Sequence, residues 1–153
     1  MNLLNYSLIA LVSYLGLFVG LILAIIAKEE LKSGKKYFLF LQKLLLLLIF
    51  IFLLIFIGLN YISVLLIFMF IMISLLKRKK EFNELPYTYI ILAVVFYLSS
   101  KKLNPYIIES SLIFLYGIPT GTLLTEKSKK KSIINILKNV GFILITIILY
   151  LVF

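Results

Sequence analysis

The stretch YIIESSLIFLYGIPTGTLL, Tyr106–Leu124, combines an apolar run with one carboxylate, a pair of serines, a proline and two glycines. At about 1.5 Å per residue, a helix of this length approaches the thickness of a hydrocarbon core of about 30 Å. No other apolar run of the chain combines these features, and none of the others contains a carboxylate. The stretch therefore predicts a membrane helix, and it marks the place where we expect a functional site.

The composition of the whole chain favours a membrane protein. Of its 153 residues, 63% are hydrophobic, against about 45–50% in soluble domains. No stretch is polar and long enough to form a separate soluble domain, so we expect a single transmembrane domain over residues 1–153. The net charge of +10 comes from short basic clusters without a Gly-rich phosphate loop or interleaved aromatics. These clusters predict contact with anionic lipid headgroups and argue against nucleic acid.

Several residue types that dominate enzyme active sites are missing. The sequence contains no His, Cys or Asp, and all six acidic residues are glutamates. Catalytic systems built on Ser-His-Asp or Cys-His, and metal sites built on His or Cys, are therefore excluded. We expect a non-enzymatic protein with no catalytic residue, no cofactor and no metal site.

The apolar runs predict an all-α bundle of six transmembrane helices. Their ranges are 7–27, 37–57, 61–76, 86–100, 105–124 and 133–153, with Gly34 as a stop between the first two and a hairpin turn at Gly58–Asn60. The second and third helices are almost entirely Leu, Ile and Phe. We therefore expect that hairpin to be a scaffold that faces lipid.

The basic residues fix the expected orientation. They concentrate in the first, third and fifth loops, which places those loops in the cytoplasm and both termini outside the cell membrane. Tyrosines fall near the expected span boundaries and predict aromatic belts: Tyr6, Tyr61, Tyr106 and Tyr150 outside, and Tyr37, Tyr87 and Tyr89 inside.

Two GxxxG pairs, Gly16–Gly20 and Gly117–Gly121, lie at matching depths in the first and fifth predicted helices. Glycines four residues apart share one helix face and allow a second backbone to approach closely. We therefore predict a close parallel crossing of these helices, with Tyr14 and Tyr116 forming hydrogen bonds into the bundle.

The remaining polar candidates cluster in the fifth helix. Glu109 either pairs with Lys101 or Lys102 beside headgroup water, or lines a transport or proton-relay path. Ser110 is expected to bond back to its own helix. Pro119 predicts a kink or an opened turn whose freed carbonyls are met by the hydroxyls of Thr120, Thr122 and Thr125.

The segment IIAKEELKSGKKYF, Ile25–Phe38, resembles juxtamembrane segments of small uncharacterised archaeal multi-pass membrane proteins. This resemblance implies a family of unknown function and adds no site residue. Two functions stay open. The first is a subunit or scaffold of a membrane assembly, packing against a copy of itself or a membrane protein partner. The second is a small transporter or channel, with a path near Glu109 and a broken-helix turn at Gly117–Gly121.

Overall fold

The computed structural model describes residues 2–27, 29–58, 61, 64–68, 87–124 and 129–152. In these residues every regular element is helical, which confirms the all-α prediction. The elements are α1 (Leu3–Ile26), α2 (Glu30–Ile57), α3 (Tyr87–Ser99), α4 (Leu103–Leu123), α5 (Lys129–Leu137) and α6 (Gly141–Val152). A short 3₁₀ turn, Lys138–Val140, joins α5 to α6. Residues 69–76 of the predicted third span lie outside the described residues, and residues 64–68 are helical.

Three of the described segments are long and apolar enough to cross a membrane: Leu3–Ile26, Ser33–Phe56 and Ser132–Val152. Helix α3 is apolar but shorter. Helix α4 is long enough but is not among the three, because Glu109 and its serines and threonines lower its hydropathy. Most of these polar side chains are buried in the protein, so α4 brings a carboxylate and several hydroxyl groups into the bundle.

The predicted stop at Gly34 is wrong. Helix α2 begins at Glu30 and runs through Gly34, so most of the predicted first loop is helical. A single glycine weakens a helix by only about 1 kcal/mol relative to alanine, and the long apolar segment that follows outweighs it. Helix α2 ends at Gly58, which has a φ of +78° and donates its N–H to the Leu54 carbonyl over 2.9 Å. Leu59 and Asn60 of the predicted hairpin turn lie outside the described residues.

Contacts between side chains define the helix directions. Helices α1 and α4 run parallel, since Tyr6 stacks near Tyr106 and the Ser13 hydroxyl reaches the Ser110 carbonyl farther along both helices. Helix α3 runs antiparallel to them, with Phe96 beside Tyr106 at one end and Tyr89 beside Tyr116 at the other.

Helices α2 and α6 also run against the direction of α1 and α4. Gln42, early in α2, contacts Thr120 late in α4, whereas Leu53 and Glu109 share a cavity at the opposite end. In α6, the Thr146 carbonyl lies beside Tyr6 at the start of α1. Among the described helices, α1 and α4 therefore run in one direction, and α2, α3 and α6 run in the other.

Three of the tyrosines assigned to aromatic belts are instead core residues. Tyr6, Tyr89 and Tyr106 are at most 2% exposed, and their rings pack on other aromatic rings of the bundle. For Tyr6 the bundle interior supplies the hydrogen-bond acceptor that a headgroup region would otherwise supply. Its hydroxyl donates to the Thr146 carbonyl over 3.2 Å. Tyr37 and Tyr61 are exposed, as a position at a membrane boundary requires.

Helix α2 is not simply a lipid-facing scaffold. One face is buried in the bundle through Leu45, Leu46, Ile49, Phe50 and Leu53, and the opposite face exposes large apolar side chains. Uniformly apolar composition hid this division, because a helix with no polar stripe gives no sign of which face meets protein.

Candidate functional site

The two glycine pairs meet where α1 crosses α4. A Cβ atom added at Gly117 would lie 2.8 Å from the backbone carbon of Gly16 and 2.9 Å from its Cα. A Cβ added at Gly16, Gly20 or Gly121 would overlap a backbone carbonyl oxygen of the facing helix: Phe114, Ile118 and Leu17, respectively. No side chain larger than hydrogen fits this contact without a shift of backbone. The predicted close parallel crossing is confirmed.

Hydroxyl groups reinforce the same crossing. The Ser13 hydroxyl donates to the Ser110 carbonyl over 3.1 Å and contacts the Ile9 carbonyl of its own helix over 2.9 Å. As predicted, the Ser110 hydroxyl bonds back to its own helix, at the Ile107 carbonyl over 3.0 Å. Ser110 therefore joins the two helices through its backbone and not through its side chain.

Pro119 does not break helix α4. The helix is continuous from Leu103 to Leu123 with Pro119 inside it, so the predicted broken-helix turn at Gly117–Gly121 is wrong. The Thr120 hydroxyl donates to the Tyr116 carbonyl and that of Thr122 donates to the Pro119 carbonyl, each over 2.8 Å. Neither bond goes to the carbonyl of Leu115, which the proline ring was expected to free. Thr125 lies outside the described residues.

Gln42 is the functional residue that sequence reasoning missed. Its Nε2 atom donates to the Thr120 hydroxyl over 2.9 Å and to the Tyr116 hydroxyl over 3.5 Å, which joins α2 to the deep part of α4. The signal was present in the sequence, because an amide inside an apolar span usually bonds across helices. The neighbouring Lys43 is exposed.

Replacing Gln42 by leucine is expected to destabilise the bundle by about 0.6 kcal/mol, the average for an interhelical hydrogen bond in a membrane protein. The reason is that Thr120 and Tyr116 lose a shared donor. Reversible unfolding in mixed detergent micelles would measure the change. Lys43→Leu, a substitution on the exposed side of the same helix, is the control and should change stability little. An equal loss in both variants would contradict this role for Gln42.

The predicted hydrogen bond of Tyr14 is confirmed. Its hydroxyl donates to the Ile136 carbonyl of α5 over 2.8 Å. Its ring lies edge-on to the ring of Tyr89, with 6.4 Å between centroids. Tyr89 itself is buried, and its hydroxyl has no hydrogen-bond partner among the described residues.

Glu109 is fully buried, with 0% of its surface exposed. Neither carboxylate oxygen has a hydrogen-bond partner in the described part of the chain. The predicted ion pair with Lys101 or Lys102 is absent from the structure. The Lys101 ammonium lies instead over the Tyr97 ring, 5.3 Å from its centroid. Because isolated carboxylates are costly to bury, Glu109 is the most conspicuous unpaired polar group of the bundle.

A cavity of about 260 Å³ adjoins Glu109. Its apolar lining comes from the end of α2, the end of α3 and the start of α4, and its lining residues are Leu53, Phe56, Leu98, Ser99, Lys101, Lys102, Pro105 and Glu109. Thr120 is not among them, and it lies eleven residues farther along α4, roughly 16 Å away. The structure thus brings the glycines, Ser110 and Thr120 into the packing interfaces of α4 and sets Glu109 apart in a separate cavity.

Chemically, the glycines, hydroxyl groups and amide hold helices together, and Glu109 is left without such a role among the described residues. Among the described residues, no group of three or more His, Cys, Asp or Glu side chains is placed to hold a metal ion. The resemblance of Ile25–Phe38 to archaeal membrane proteins stays a prediction. Comparison of the chain with protein-family models, curated proteins and solved structures finds no match.

Proposed function

We propose that the chain is a non-enzymatic subunit or scaffold of a membrane assembly. The observation that carries this proposal is the use of polar groups at the interfaces of α4. Ser13 and Gln42 each contact α4 through hydrogen bonds, and glycines bring α1 and α4 into backbone contact. Polar groups and glycines engaged in this way join α1 and α2 to α4.

This chain would contact the other members of the assembly through its exposed apolar faces. The face of α2 opposite the bundle exposes Phe40, Leu44, Leu47, Ile51 and Ile55. Such a face suits either lipid acyl chains or the apolar face of a second membrane helix. A copy of this chain or a different membrane protein would be bound by the same van der Waals packing.

A small transporter or channel is the second candidate, and the Glu109 cavity favours it. Ionisable groups within membrane helices commonly mark substrate or ion pathways. The continuous helix through Pro119 removes the broken turn on which a path between Glu109 and Thr120 depended. Subunit or scaffold is therefore the better-supported function.

The proposed membrane arrangement has six spans with both termini outside and the basic loops in the cytoplasm. The helix directions and the basic clusters support it. We predict that cysteine at Asn2 reacts with a membrane-impermeant maleimide on intact cells. Cysteine at Ser33, beside Lys32, Lys35 and Lys36, should react only after the membrane is opened. The reverse pattern would contradict this orientation.

The proposed function is tested by extracting the chain from its own membrane directly into native nanodiscs and weighing the particle. We expect a protein mass above that of one 17.7 kDa chain, with a fixed stoichiometry of a second copy or of a partner. A single chain in every particle, together with solute flux after reconstitution into liposomes, would overturn the subunit proposal and favour the transporter.

A further inference from the structure

Three kinds of surface meet in the cavity beside Glu109. Glu109 is one of its lining residues, fully buried and with a carboxylate that is unpaired among the described residues. Its two oxygens have almost no accessible surface, so a ligand in the cavity contacts them only once the side chain turns toward it. Apolar side chains of three helices form most of its walls, and two exposed lysines, Lys101 and Lys102, line it at the end of the bundle. Each surface is suited to bind a different chemical group of one ligand.

The carboxylate of Glu109 is complementary to a positively charged hydrogen-bond donor. Both of its oxygens can accept hydrogen bonds, and bonds to charged donors are the strongest kind available in a protein interior. An ammonium group that carries three N–H donors matches this requirement. The Ser99 side chain on the same cavity already donates to the Phe96 carbonyl over 2.9 Å, so it does not meet the need of Glu109.

The two lysines are complementary to an anionic group at the other end of the cavity. Leu103, the first residue of α4 after them, precedes Glu109 by six residues, which is about 9 Å along the helix axis. Because this rise separates the start of α4 from Glu109, a ligand with its two charges at the ends of a chain matches the cavity better than one with its charges close together. Between the ends, Leu53, Phe56 and Leu98 present apolar walls that suit methylene groups.

We propose that this cavity binds a small zwitterion whose ammonium group contacts Glu109 and whose anionic group contacts Lys101 or Lys102 across a linear apolar chain. An α-amino acid, whose ammonium and carboxylate groups are attached to the same carbon, is too short to reach both ends. A simple amine leaves the lysines unpaired, and a simple fatty acid leaves Glu109 unpaired. The site is additional to the assembly role and requires no partner protein.

The test uses the purified full-length chain in lipid nanodiscs and isothermal titration calorimetry with four probes. These are ε-aminocaproate, hexylamine, caproate and β-alanine, which separate the contributions of the ammonium, the anion and the chain length. We expect ε-aminocaproate to bind most tightly. Glu109→Gln should weaken its binding about tenfold or more, because a charge-assisted hydrogen bond becomes a neutral one. Binding of caproate should change little in this variant.

Three further variants keep the test decisive if Glu109→Gln does not fold. Lys102→Met should weaken ε-aminocaproate several-fold and leave hexylamine unaffected. Lys43→Met, the same substitution at an exposed lysine that does not line the cavity, should bind all probes as the unaltered chain does. Leu98→Trp should fill the cavity and abolish binding. The proposal is overturned if ε-aminocaproate does not bind, if hexylamine binds equally well, or if Leu98→Trp leaves binding intact.

Discussion

Replacing Gly16 by alanine is expected to destabilise the bundle by about 1–3 kcal/mol, the usual effect of adding atoms to a filled interior. The added Cβ would overlap the carbonyl oxygen of Phe114, which belongs to the backbone of α4 and cannot rotate away. The two helices must therefore separate, and this separation also breaks the contact of Gly117 with the Gly16 backbone. This loss exceeds the helix propensity gained on replacing glycine by alanine, which is at most about 1 kcal/mol.

Gly141→Ala is the matched control for this prediction. Gly141 also lies in a helix, and a Cβ added there meets nothing within 4 Å among the described atoms. Alanine at this position should be neutral or stabilise by up to about 1 kcal/mol. Unfolding of both variants in mixed micelles, or by steric trapping, measures the difference. Equal stability of the two variants would show that the glycine crossing is not a tight contact.

Replacing Tyr6 by alanine is expected to destabilise the bundle by about 3–5 kcal/mol, as for other large aromatic side chains removed from a core. Tyr6 is fully buried, and its ring centroid lies 5.2 Å from that of Phe96 and 4.6 Å from that of Tyr150. Loss of the ring would remove packing contacts of α1 with both α3 and α6. The same unfolding measurement would detect this loss.

Tyr6→Phe separates ring packing from the hydroxyl group. This variant keeps the ring and loses only the hydrogen bond to the Thr146 carbonyl, so we expect a loss of about 0.6 kcal/mol. If phenylalanine proved as damaging as alanine, the hydrogen bond and not the aromatic packing would hold the helices at this end.

Small residues at helical spacing made the central crossing predictable. Glycine pairs leave a helix face without side chains, as at Gly16, Gly20, Gly117 and Gly121. In a bilayer, such a face allows the backbone of a second helix to pack closely against it. The direction in which Glu109 points was not predictable, because its sequence position near a span boundary suits both a headgroup contact and an inward contact. Only the packing of α2 and α3 against α4 decides between them.

The helix stop predicted at Gly34 and the opened turn considered at Pro119 are both replaced by continuous helix. Glycine weakens a helix by about 1 kcal/mol and proline by about 3 kcal/mol relative to alanine, whereas an opened turn in hydrocarbon leaves several backbone groups without hydrogen bonds. The continuous helix is the better solution wherever neighbouring helices pack on it. Gly58 does end a helix, because its positive φ departs from helical geometry at the C-terminus of α2.

Disulfide trapping between Ser13→Cys and Ser110→Cys tests the parallel contact of α1 and α4 most directly. The chain has no native cysteine, and the Ser13 hydroxyl contacts the Ser110 backbone in this structure. The adjacent Ser111 is exposed, so Ser13→Cys with Ser111→Cys is the matched control pair. We predict rapid intramolecular crosslinking in membranes for the first pair and little for the second. Equal crosslinking of both pairs, or crosslinks only between chains, would contradict the packing of α1 on α4.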